Sequence, residues 1–332
     1  MSASRYAAGL MRVAILINPS SGRGRGAALK SPLSAAVRAA GHEPIVAQVG
    51  RNASSEDIER ALKNAQAVVV CGGDGTLHHA TPMLLRAGAA LYHYPLGTEN
   101  LFARHFGMRP RHSALLDALA SNVRTRVDVA TITVHSPTMS ASGGKNADTR
   151  IVAGKNNNES IRRHALLMVS IGPDGGIVRR IAATRTGPIS HANYVLPTLR
   201  EAIKPSLPVL DVEVDGTSLV AGRAGWLVVA NCREYGARLN PCPRASMLDG
   251  MLDVVFFPVN TGAIAGAWAV RSRLRCAQNA VRAKGKLVRI ASQGNDPPWQ
   301  VDGEDGEHGV GPFEATVSVM PGVLEVLGTC VV

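Results

Sequence analysis

Three glycine-containing turns in the first third of the chain have the residue types that grip phosphate. They are Asn18–Gly26 (NPSSGRGRG), Gly72–Thr76 (GGDGT) and Pro95–Asn100 (PLGTEN). Glycine lets main-chain N–H groups approach phosphate oxygens closely, and a helix N-terminus behind such a turn adds the positive end of its dipole. Arg23 and Arg25 offer guanidinium donors suited to phosphate. Asp74 lies inside the second turn, where a bare carboxylate would repel phosphate. It suits the site if it works through Mg2+ or orients another charged group. One such turn alone reads as a tight connection. Three in this order, each after an apolar run, point to a site for nucleotide phosphates.

Turns of this kind belong at the carboxyl ends of parallel strands, where open α/β sheets bind ligands. Arg12–Asn18 (RVAILIN) and Ala67–Cys71 (AVVVC) are continuous apolar runs, the pattern of strands covered on both faces. Pro44–Val49 and Ala90–Tyr94 read as two more strands. Between them Leu29, Leu33, Ala36, Val37 and Ala40 recur at helical spacing. Ser54 or Ser55 can cap a helix with Glu56 and Asp57 in its first turn. Thr76–Ala87, Glu99–Phe106 and Arg111–Ala120 read as further helices. The alternation predicts an α/β nucleotide-binding domain over 11–126, a parallel sheet with helices on both faces.

From Val127 the pattern changes. Val127–Val134, Ala165–Ile171, Leu210–Val214, Trp226–Asn231, Met251–Phe257, Lys286–Ala291, Trp299–Val301 and Ala315–Met320 read as strands, most of them separated by turn residues. Helical patterns are confined to Ala192–Ile203 and Ala263–Asn279. A β-rich, sandwich-like second domain is expected over 127–320. A Ser-, Gly-, Asn- and Lys-rich stretch at 136–163 is expected to be a flexible insertion. The last segment, 321–332, is too apolar for a free tail and is expected to pack back on the first domain.

Bulk properties bound what such a site can serve. The 332 residues are 45% hydrophobic and 18% charged, enough to bury the cores of about two domains. No stretch approaches the ~18 uninterrupted apolar residues of a spanning helix. Met1–Met11 lacks the apolar segment of a secretory signal and reads as a frayed leader. The five cysteines are odd in number and widely spaced with no CxxC pair, which excludes a disulfide scaffold and suits a reducing cytoplasm. A net charge of +11 draws the chain to polyanions, among them nucleotide phosphates and an anionic membrane face. No basic cluster interleaved with aromatics is present, so nucleic acid is not an expected partner. His78 and His79 are adjacent, about 100° apart on a helix, and are expected to pack or hydrogen-bond separately rather than share a metal. Cys71, ending an apolar strand, reads as a small core residue.

The segments NPSSGRGRG, CGGDGTLHHA and PLGTENLFAR, in this order and spacing, resemble the diacylglycerol kinase catalytic-domain family, which includes bacterial lipid kinases and sphingosine kinases. The second domain continues the match. Ser170–Asp174 (SIGPD) is similar to the family's GxGFDA segment, Asn231–Val254 to its stretch ending in DDGxLDV, and Gln300–Glu304 (QVDGE) to its late DGE. The resemblance spans nearly the whole chain. It implies a fold shared with NAD kinases and an ATP- and Mg2+-dependent transfer of the γ-phosphate to a lipid hydroxyl of diacylglycerol or sphingosine type.

By matching position, the resemblance implies that Asn18, Ser21, Gly22, Arg23, Gly72, Gly73, Asp74, Gly75, Thr76 and Thr98 hold ATP. Asp249 matches the Mg2+ segment, and Glu304 sits where a metal or nucleotide contact would be. Asp302 matches a base that receives the hydroxyl proton. In sphingosine kinases that role belongs to the aspartate of the glycine turn, here Asp74, so both stand as candidates. The resemblance further implies a lipid met at the membrane surface, peripheral association with the inner face, and compatibility with a homodimer.

The chain departs from the family at three acidic positions. His78 and His79 stand where Asn-Glu follows GGDGTx, Leu101 follows PLGTEN in place of Asp, and Leu248 replaces the first Asp of DDG. Because NAD kinases share GGDGT, an NAD kinase-like enzyme is one alternative expectation. A catalytically impaired protein that binds nucleotide or lipid is another, motivated by the lost carboxylates.

Overall fold

Residues 9–50, 53–135, 160–184, 200–201, 206–258, 280–306 and 312–330 are described by a computed structural model of the chain. Strand β1 (Arg12–Ile17) is buried from Val13 onward, and β3 (Ala67–Gly72) and β4 (Ala90–Pro95) are buried throughout. Runs with no polar face must lie between covering layers. With β2 (Glu43–Gln48) they form a parallel sheet in the order β2-β1-β3-β4. Helices α1 (Arg25–Ala39), α2 (Ser55–Leu62), α3 (Asp74–Ala87), α4 (Leu101–His105) and α5 (His112–Ser121) fill the connections. Ser54 is the cap of α2: its hydroxyl accepts the Asp57 N–H at 3.2 Å.

Two long strands join this lobe to the second. Strand β5 (Arg124–His135) runs antiparallel to β15 (Pro312–Leu327), with an irregularity between Met320 and Leu324. Near its end β15 lies parallel beside β4, Val326 opposite Leu91. Leu324, Val326 and Leu327 pack in the first lobe's core, whereas Phe313 and Val317 pack in the second. The remaining strands are β6 (Ile161–Ala165), β7 (Met168–Ile171), β8 (Val209–Val214), β9 (Thr217–Ala230), β10 (Leu252–Pro258), β11 (Val281–Gly285), β12 (Leu287–Asn295), β13 (Trp299–Val301) and β14 (Glu304–Asp305), with helix α6 (Pro173–Thr184) after β7. They continue the sheet in the order β14-β13-β7-β9-β8-β12-β15.

Three details differ from the sequence reading. The expected strand over 165–171 is two strands, β6 and β7, because the N–H groups of Leu166 and Leu167 turn to a side-chain carboxylate instead of a neighbouring strand. The expected insertion ends earlier, since Ile161–Arg163 lies in β6 and pairs with β5. Strand β11, with its alternating charged residues, pairs with β10 although its sequence is weakly apolar. Residues 136–159, the helix expected over 263–279 and nearly all of that over 192–203 lie outside the described residues. No helix among the described residues is long and apolar enough to cross a membrane.

Candidate functional site

The three turns leave β1, β3 and β4 at the same edge of the sheet and interlock. The Asn18 side-chain amide donates to Thr76 Oγ1 at 3.0 Å, and its oxygen accepts from the Ser20 N–H and hydroxyl. Ser21 Oγ lies 3.5 Å from the same Thr76 hydroxyl. The second and third turns touch main chain to main chain: a Cβ on Gly97 would stand 2.7 Å from the Gly73 Cα. Only glycine permits that approach. Asn100 clamps the third turn, accepting from the Gly97 N–H and donating to its carbonyl, both at 2.8 Å. Gly22, Arg23 and Gly24 follow one another with positive φ on the first turn. Thr98 and Arg23 are exposed at this edge.

Asp74 opens α3 but spends its carboxylate on the next element. It accepts the N–H groups of Leu101 at 3.0 Å and Phe102 at 3.3 Å, the first residues of α4. Burial pushes its carboxyl above the usual range; His93 and these two amides oppose that shift, and Asp302 adds to it. His93 is fully buried on β4, and its Nε2 lies 3.0 Å from the Gly72 carbonyl of the glycine turn. Burial lowers its pKa, so the ring is neutral. Burial also pushes the Cys71 thiol far above its ordinary range, in keeping with a core residue.

The second lobe meets this edge with the turn between β13 and β14. Asp302 is buried, with φ +52°, and accepts the N–H groups of Leu166 at 2.8 Å, Leu167 at 2.8 Å and Met168 at 3.0 Å. His78 on α3 reaches across to it, Nδ1 to Asp302 Oδ2 at 3.3 Å. Glu304 lies against the glycine turn so closely that a Cβ on Gly75 would be 2.2 Å from its Oε1, and His79 Nε2 stands 3.9 Å from its Oε2. Asp174, at the start of α6, braces the same turn. It accepts from Ser170, Gly175, Tyr235 and Gln300, and Gln300 lies two residues before Asp302. Burial raises its carboxyl pKa as well.

Asp249 has a different setting. Its carboxylate is half-exposed and binds the Lys284 ammonium at 2.7 Å, and Lys284 also reaches Asp253 at 3.4 Å. Strong pairing to Asp249 raises the Lys284 pKa despite some burial. The turn that the resemblance links to Mg2+ thus pairs its carboxylate with a cation of its own chain. Among the described residues no group of three His, Cys, Asp or Glu side chains gathers to hold a metal. Leu101, at a family acidic position, is buried and gives its N–H to Asp74; Leu248 is exposed.

Sequence reasoning missed two residues that hold the site's frame. Asp128 is buried in β5 and accepts the N–H groups of Gly250 at 2.7 Å and Gly322 at 2.8 Å. Asn231 donates to the carbonyls of Asp128 and Leu166, both at 2.9 Å, tying the Asp249 turn to the strand break beside Asp302. A lone carboxylate within the apolar run VDVATITV was the available signal for Asp128.

Comparison with known proteins agrees with this arrangement. Residues 12–132 match the diacylglycerol kinase catalytic domain, and residues 167–328 match the YegS C-terminal NAD kinase beta sandwich-like domain. The chain is 26% identical over 250 residues to a diacylglycerol kinase of Mycobacterium tuberculosis, covering 73% of this chain and 72% of that protein. A crystal structure of a candidate diacylglycerol kinase from Bacillus anthracis str. Sterne superposes with TM-score 0.70 at 18% identity, over 99% of both chains. Yeast NADH kinase in complex with NADH superposes with TM-score 0.52 at 12% identity, over 99% of this chain and 88% of that one. With both domains matched in order and the interlocked turns at their junction, residues 12–132 form a diacylglycerol kinase catalytic domain and residues 167–328 a YegS C-terminal NAD kinase beta sandwich-like domain.

Proposed function

We propose that this chain is an ATP-dependent lipid kinase that transfers the γ-phosphate to a lipid hydroxyl of diacylglycerol or sphingosine type. One observation carries the reading: the phosphate-type turn of the first lobe and the acidic turn of the second are in contact, through Gly75 with Glu304 and His78 with Asp302. Phosphoryl transfer asks little covalent chemistry of a protein. It needs phosphates held in line, their charge neutralised and a hydroxyl oriented with a proton acceptor beside it. In this reading Asn18, Ser21, Gly22, Arg23, the Gly72–Thr76 turn and Thr98 bind ATP, and the second lobe receives the lipid. Glu304 is the carboxylate that would hold a Mg2+ brought with the nucleotide, and such an ion would supply charge neutralisation there. Asp74 fixes α4 beneath the third turn, and Asp302 fixes the strand break opposite. The excess of basic residues favours an encounter at an anionic membrane face.

The test is labelled ATP with Mg2+ and vesicles carrying a panel of lipids with free hydroxyls, with NAD in a parallel arm. The expected product is a labelled phospholipid. Label on NAD and on no lipid would move the chain to the NAD kinase reading. ATP binding without turnover under any divalent ion would leave a non-catalytic binding protein.

A further inference from the structure

We propose that the proton acceptor for the substrate hydroxyl is His78 Nε2, with Asp302 as the positioning residue behind it. This rests on the phosphoryl-transfer reading above and assigns its proton-moving group to a residue that the family pattern does not supply.

The lone pairs of the carboxylates decide which group is left to take a proton. An ionised carboxylate has about four acceptor sites. Asp302 uses four: Oδ1 accepts from Leu167 and Met168, and Oδ2 from Leu166 and His78 Nδ1. A substrate hydroxyl has no acceptor site left on it without displacing a main-chain bond. A carboxylate fed by three N–H groups accepts rather than donates, so the imidazole gives it the Nδ1 proton. The remaining ring nitrogen, Nε2, then carries the lone pair. His78 is 7% exposed, and Nε2 has no hydrogen-bond partner among the described residues. Asp74, the other candidate, gives two of its acceptor sites to α4 amides and is pinned by them beneath the third turn.

Position agrees. His78 lies four residues beyond Asp74 on α3, about 6 Å from it along the helix axis and just past the end of the glycine turn. The charged and titratable groups around the pair are His79, whose ring centroid is 5.3 Å away, Glu304 beside His79, His164 on β6, and Asp74, which feels the Asp302 charge. The family's usual asparagine at this slot could occupy the space but could not take a proton.

The step balances. The hydroxyl O–H breaks and its electron pair forms a bond to the γ-phosphorus. The bond from that phosphorus to the bridging oxygen breaks, and its pair leaves with ADP. The proton goes to Nε2, and the Asp302 carboxylate stabilises the imidazolium.

Two measurements test this on the full-length protein. The first is 15N NMR of the histidine rings, with His78 assigned by loss of its signals in His78→Asn. The expected species has Nδ1 protonated and Nε2 bare; a protonated Nε2 paired with a bare Nδ1 overturns the proposal whatever the substrate. The second compares turnover on the lipid that the wild type phosphorylates. His78→Asn and His78→Gln are expected to lower kcat about 100-fold or more, with KM for ATP within threefold and the melting temperature retained. In His78→Ala, added imidazole is expected to restore part of the rate. Turnover in His78→Asn within threefold of wild type, with an unchanged pH profile, overturns the proposal while leaving the kinase reading intact. A wild type that phosphorylates no lipid overturns the kinase reading and the proton-acceptor role with it, and the tautomer then reports only on the His78–Asp302 pair.

Discussion

Asp302 and Asp249 occupy neighbouring parts of one family pattern, yet the fold treats them in opposite ways. Asp302 is buried between the lobes, with three main-chain N–H groups and a histidine on its oxygens. Asp249 sits on an open turn, with one main-chain N–H from Met251 and a lysine ammonium. The first is built into the backbone of two strands and cannot leave without orphaning them. The second is a surface ion pair that water and salt can replace. A motif match alone gives both the same standing, and only their partners separate the carboxylate that organises the cleft from the one that steadies a turn.

The comparison breaks most visibly on stability. Asp302→Ala leaves three buried N–H groups unpaired, at about 1–3 kcal/mol each. Its melting temperature is expected to fall far more than that of Asp249→Ala, in thermal unfolding followed by circular dichroism. Equal losses in the two variants would mean that the two carboxylates are held alike.

A second consequence concerns pH at the cleft. His93, which props the Gly72 carbonyl, has its pKa lowered by burial. The unfolded chain therefore binds the proton first as pH falls through about 6.5, so this group stabilises the fold above that pH and loses its contribution below it. Between pH 8 and pH 5.5 the wild type is expected to lose more melting temperature than His93→Gln. Parallel curves would show that His93 is not the group held neutral.

The smallest effect sharpens the other side. Lys284→Met should cost about 1 kcal/mol or less, because the pair is partly exposed. Without nucleotide, the wild-type melting temperature is expected to be the same in EDTA and in millimolar Mg2+, whereas Lys284→Met should regain stability on adding Mg2+. A wild type that itself melts earlier in EDTA would mean that the Asp249 turn takes a divalent ion after all.

Much of this was legible in the sequence, for physical reasons that also mark where legibility stops. β1, β3 and β4 declared themselves because a strand covered on both faces has no polar residues to confuse its pattern. The glycine turns followed, since Gly97 is required by a main-chain contact with Gly73 that a Cβ would break. Long-range acceptors were not legible. Nothing local to Asp128 announces Gly250 and Gly322 as its donors, and nothing in Leu166–Met168 announces that its amides leave the ladder for Asp302. Lys284 was missed likewise, because its strand lies 35 residues from the aspartate it neutralises. His78 was read as a packing or hydrogen-bonding residue, which its bond to Asp302 agrees with, but the identity of that partner needed the fold.

The central claim is that a turn from each lobe serves one nucleotide cleft. Hydrogen–deuterium exchange of the full chain, with and without ATP and Mg2+, tests it most directly. The account predicts slower exchange in both the 72–79 segment and the 300–305 segment when nucleotide binds. Protection confined to the first lobe, with 300–305 unchanged, would contradict it.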